Sequence, residues 1–173
     1  MVNLTSKAVM RTLLGFFLPA VLVTSAVAGD PLNWRRVGEL DYAGDPQKMI
    51  NTGPDNVVIK GYDTVAYFTE GRAMKGNSEF AYSWRDAEWH FANARHRDLF
   101  VTDPQRYAPQ FGGFCANGMS KGKVVAADPE AWTIIDGKLY IKFNKGARDR
   151  WRQDKTAKIK KANENWAKHQ KQN

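Results

Sequence analysis

The chain has 173 residues, a formal net charge of +8, one cysteine, six tryptophans and six tyrosines. A single cysteine excludes an intramolecular disulfide framework and a cysteine-cluster metal site, so hydrophobic packing must carry stability. The charge is uneven: residues 145–173 hold ten Lys/Arg against three acids, whereas residues 29–144 are close to neutral.

At the N-terminus, Lys7 and Arg11 flank the start of an apolar run, Leu13 to Val23, and Ala26-Val27-Ala28 has the small-x-small pattern of a cleavage site. That pattern predicts a signal peptide over 1–28, cleaved near Ala28, and a periplasmic or secreted protein. The run is too short for an ordinary membrane span. Export removes the usual nucleic-acid partner, so none is expected. The remaining length suits one domain.

Residues 29–56 read as a polar N-terminal arm that Trp34, Val37, Leu40 and Tyr42 could anchor. Val57-Val58-Ile59 reads as a short buried strand. Asp63 is placed to cap a short helix over 64–69, which Gly71 closes. Phe80, Tyr82 and Trp84 alternate, Arg85 to Glu88 turn, and Trp89 and Phe91 alternate again, which predicts a hairpin with an aromatic face and His90 on the other face. Asn93 caps a helix through Phe100, which Asp103-Pro104 stops, and Pro104–Tyr107 forms one more turn. The glycine-rich segment Phe111 to Met119 follows, then a strand over 123–126. Trp132 to Ile141 is the clearest hairpin, with Asp136-Gly137 at its turn. Residues 145–173 read as one basic helix with Trp151, Ile159, Ala162 and Trp166 on one broad face. No internal repeat is visible. The fold class is α+β: a small single domain of short β-hairpins and short helices over 57–144, with a basic C-terminal helix.

Several blocks carry a resemblance. They are Gly61-Tyr62-Asp63-Thr64-Val65-Ala66-Tyr67-Phe68, Trp89-His90-Phe91-Ala92-Asn93-Ala94, Asp103-Pro104 with Tyr107-Ala108-Pro109-Gln110, Phe111-Gly112-Gly113-Phe114-Cys115-Ala116, and Asp136-Gly137-Lys138-Leu139-Tyr140. In order and spacing over residues 57–166 they resemble the YHS-domain family, in its small exported branch. The resemblance implies the fold and an association with metal handling. Relatives that bind soft metals usually carry several cysteines; this chain has one.

Cys115 and Met119 stand four apart, and thiolate with thioether is a donor pair suited to Cu(I). His90 is the third candidate, so the metal reading takes Cys115, Met119 and His90 as ligands and copper as the ion. Against it, Gly112, Gly113 and Gly118 argue for a loop, and Cys and Met commonly fill cores. His96 lies between Arg95 and Arg97, which disfavours a bound cation, and reads as a surface helix residue. His169 in the tail is uninformative. Cys115 with His90 and Asp63 could form a thiol-enzyme set, but no spacing demands it, and an enzyme is not expected. Tyr62, Tyr67, Trp84, Trp89 and Trp132 read mostly as core, with some lining a small pocket for an organic ligand. The first functional reading is a non-enzymatic copper-binding protein. The second is a small-molecule or protein-binding module with a structural Cys115. The basic helix reads as a solvated face, with weak membrane-surface contact as the alternative.

Overall fold

The computed structural model describes residues 49–171, which belong to the unit Leu32–Asn173. The expected signal peptide, and the arm residues Trp34, Val37, Leu40 and Tyr42, lie outside the described residues. The described elements are helix α1 (Ala66–Thr69), strands β1 (Asn77–Trp84) and β2 (Ala87–Phe91), helices α2 (Ala94–Thr102), α3 (Pro104–Tyr107) and α4 (Ala116–Met119), strands β3 (Asp128–Ile135) and β4 (Lys138–Lys142), and helices α5 (Lys145–Arg152) and α6 (Lys155–His169). The strands form two antiparallel hairpins, β1–β2 and β3–β4, so the class is α+β as expected.

The two hairpins are one unit used twice. In the first, Asn77 pairs with Phe91, Ala81 with His90 and Trp84 with Ala87; in the second, Asp128 pairs with Lys142, Trp132 with Ile141 and Ile135 with Lys138. Every position in the second set lies 51 residues after its counterpart, and the register shift falls at the same place in both. Each turn has two residues, both at positive φ: Arg85 and Asp86, then Asp136 and Gly137. This is the turn whose twist matches that of paired strands. Asn93 and Asn144 then cap α2 and α5 through Oδ1, which accepts the N–H of His96 and of Ala147. The expectation of no internal repeat is therefore corrected.

The repeat extends upstream through two left-handed turns. Ile59, Lys60 and Gly61 have φ of 41, 59 and 71°, and Phe111, Gly112 and Gly113 have 57, 59 and 82°. After each turn comes one buried side chain that ties the unit together. Asp63 Oδ1 accepts the N–H groups of Val65 (2.9 Å) and Ala66 (3.2 Å), and its Oδ2 accepts that of Ala92 (2.8 Å). Cys115 Sγ accepts the N–H of Gly118 (3.4 Å) and of Phe143 (3.2 Å). Ala92 and Phe143 are equivalent, one residue past β2 and β4. The backbone N–H of Asp63 donates to Met74 O and that of Cys115 donates to Val125 O, equivalent pairs 52 and 51 residues apart. Each cap thus closes a short helix and fastens it to the end of a hairpin.

The cap in the first unit also holds a histidine. His96 Nδ1 donates to Asp63 Oδ2 at 2.6 Å, and its Nε2 lies 3.2 Å from Thr69 Oγ1. His96 is 4% exposed. The surface placement expected for it is corrected: Arg95 and Arg97 flank it in sequence, but the side chain lies on the helix face that also buries Phe100.

The FGG turn is fixed by the chain arriving at residue 49. Met49 and Ile50 are buried, Asn51 N donates to Gly112 O (2.8 Å), and Asn51 Nδ2 donates to Gly113 O (3.0 Å). A Cβ on Gly112 would stand 2.1 Å from Met49 O, so only glycine fits.

Three other expectations are revised. Val57 and Val58 make isolated bridges, to Glu88 and Thr52, rather than a strand. Residues 123–127 run without regular structure, held where Lys123 N donates to Gly118 O and Cys115 N donates to Val125 O. The basic helix is two helices, α5 and α6, broken at Gln153 and Asp154. The break lets Trp151 and Ala162 both reach full burial in the cluster that also holds Phe111, Met119 and Tyr140. Asn165 Nδ2 donates to Met119 O, which fastens α6 to α4.

The two caps should differ in cost when removed. Asp63→Ala strands three buried N–H groups and His96 and is expected to lose roughly 3–5 kcal/mol, against about 1–2 kcal/mol for Cys115→Ala. Urea unfolding of the two variants checks this; equal losses would contradict the assigned roles.

Candidate ligand-binding cleft

The hairpin tips, the α3–α4 connection and α6 enclose a cleft of about 340 Å³. Trp84, Arg85 and Trp89 reach it from the first hairpin and Lys138 from the second. Phe111 enters from the left-handed turn, Trp166 from α6, and Met49 and Ile50 from the entering chain. Gln105 and Gln110 add amides. The volume lies in the range of small-molecule sites.

Local structure sets each of these side chains. The Arg85-Asp86 turn places the Arg85 guanidinium over the Trp84 ring, 4.5 Å from its centroid. Trp84 and Trp89 meet at 5.5 Å, and both pack on Phe100. The Trp89 indole N–H donates to Trp84 O, and its ring is buried against Trp84 and Phe100 at the floor of the cleft. Phe111 meets Trp166 at 6.1 Å and Tyr140 at 5.9 Å. The described lining holds two cations and no carboxylate.

The sequence candidates lie elsewhere. Cys115 is 2% exposed, with its sulfur accepting two backbone N–H groups. Burial pushes the thiol up, against the opposing pull of those N–H groups and of Lys142. Met119 is fully buried in the cluster under α6, whereas Cys115 belongs to the cluster that holds Trp89, Phe91 and Phe100. His90 lies on β2 with Nε2 against Glu88 Oε1, and its Nδ1 faces Gly61. A copper site from Cys115, Met119 and His90 would need the thiol to ionise against burial and His90 to leave Glu88. Among the described residues, no three His, Cys, Asp or Glu side chains gather as a metal site. Asp63 is taken up by its cap and by His96. His169 Nε2 lies 3.2 Å from Gly122 O.

Sequence reasoning missed Lys142. It is fully buried, donates to Tyr140 O at 3.0 Å, and stands over the rings of Tyr140 and Trp151. Burial holds its amine down to about 7; Cys115 opposes the shift, and Arg148 and Arg152 add to it. Its place at the end of an alternating strand was the one available signal, and a terminal lysine normally points outward.

No family model, curated protein or solved structure matches this chain.

The buried amine fixes a pH dependence. Below pH about 7 Lys142 is charged in both states, and its burial cost is fully present. Between about 7 and the ordinary value of 10.5, the folded chain holds fewer protons than the unfolded one, so stability rises with pH. Cys115 and Tyr140 are shifted up from 9.0 and 10.0, so they act in the opposite sense at the alkaline end. Urea midpoints at pH 6, 7.5 and 9 should climb for the wild type and stay flatter for Lys142→Met, with the variant more stable at pH 6. Parallel curves would remove Lys142 as the cause.

Proposed function

We propose that the chain is an exported, non-enzymatic binding protein of the YHS-domain family, with the aromatic cleft as its ligand site and Cys115 as a structural cap. The family reading rests on the ordered blocks from Gly61 to Tyr140. The site reading rests on one observation: three tryptophans and Phe111 line a cleft with Arg85 and Lys138, while the only thiol is buried and accepts two backbone N–H groups. A flat apolar body gains by contact with the rings, and the few polar groups orient it. Cys115 is buried, its described hydrogen bonds come from backbone N–H groups, and the nearby Lys142 amine donates to Tyr140 O, which favours binding over thiol catalysis.

Two measurements test this. In amide and indole nuclear magnetic resonance spectra, 2-naphthamide should shift the Trp84 and Trp166 indole signals; shifts confined to other regions would place the site elsewhere. Cys115 should react with a thiol reagent only after unfolding, and wild type and Cys115→Ser should show equal, weak Cu(I) binding in a competition titration. Tight Cu(I) binding by the wild type alone would instead establish the copper reading with Cys115, Met119 and His90.

A further inference from the structure

We propose that the cleft selects a small planar aromatic carboxylate, an assignment that deepens the cleft reading and rests on it. The apolar part of the ligand follows from the rings: Trp84 touches Trp89 and Phe111 touches Trp166, so two aromatic pairs line one cleft. Polarizable faces favour a flat partner over a branched aliphatic one.

The charge follows from the two cations. Arg85 makes its cation–π contact with Trp84, and among the described residues it has no hydrogen bond or carboxylate partner. A stacked guanidinium keeps its in-plane N–H donors directed outward, a fork that matches a carboxylate. Lys138 reaches the same cleft from the other hairpin, also without a carboxylate partner among the described residues. Asp86 and Asp136 share the two tips but are exposed and do not line the cleft. Solvent screens their opposition more than it screens a ligand held against the rings.

The geometry also explains why two hairpins are needed. The same tight turn, at the same register, brings a cation to the cleft from each unit: Arg85 within its turn, and Lys138 just after the Asp136-Gly137 turn. A carboxylate between them receives charge-assisted hydrogen bonds from both sides, and a neutral amide of the same shape does not.

Calorimetric titration of the purified protein with 2-naphthoate and 2-naphthamide tests this. The carboxylate should bind about tenfold more tightly, a difference of about 1.4 kcal/mol. The preference should fall in Lys138→Gln, which alters only an exposed side chain, and vanish in the Arg85→Gln/Lys138→Gln double variant. Equal affinities for the two probes would overturn the carboxylate assignment while leaving the aromatic cleft standing. A preference that survives the double variant would overturn the roles of Arg85 and Lys138. Failure of both probes to bind would overturn the cleft reading as well.

Discussion

The structure depends on a buried side chain that closes a helical turn and holds the end of a hairpin at once. Asp63 does this in the first unit and Cys115 in the second. Without that link, each two-stranded hairpin would be marginal, since two strands alone bury too little. With it, Phe91 and Phe100 pack beneath the first hairpin, while Ile141 lies fully buried in the second. A left-handed turn, Ile59–Gly61 or Phe111–Gly113, lies two residues upstream of each cap.

The two caps use unlike chemistry for the same task. A carboxylate accepts strongly and must be fully satisfied once buried, which Asp63 achieves with three N–H groups and His96. A thiol accepts weakly and costs little to bury, so the second unit needs no histidine and has Ala147 at the matching position. This accounts for a lone cysteine without assigning it a reaction.

Local signals were readable in the sequence: the Asp136-Gly137 turn, the Asn93 cap and the alternating aromatics all stand where their spacing indicated. The duplication was only faintly readable: Asn93 and Asn144, and Arg97-Asp98 and Arg148-Asp149, are identical pairs 51 apart, but most equivalent positions share geometry rather than residue type. Asp63 matches Cys115, His96 matches Ala147, and Ala92 matches Phe143. The burial of His96 had one available signal, its spacing of four from Phe100, which was outweighed by its charged neighbours. Trp84 and Trp89 were expected to be core, with some aromatics at a pocket, and both line the cleft. Arg85 and Lys138 could not be joined from sequence, since a turn's cations meet those of another turn only once both hairpins are placed.

A chain that carries the same unit twice faces a hazard during folding, because either hairpin end can be offered to either cap. The unlike caps make the wrong pairing expensive. Asp63 set against the Phe143 end would be a buried carboxylate without its imidazole, a defect of several kcal/mol. Cys115 set against the Ala92 end would leave His96 facing a sulfur that takes its proton poorly. The chemical difference between the caps therefore labels each hairpin for its own partner, a guard against strand exchange within one chain or between two.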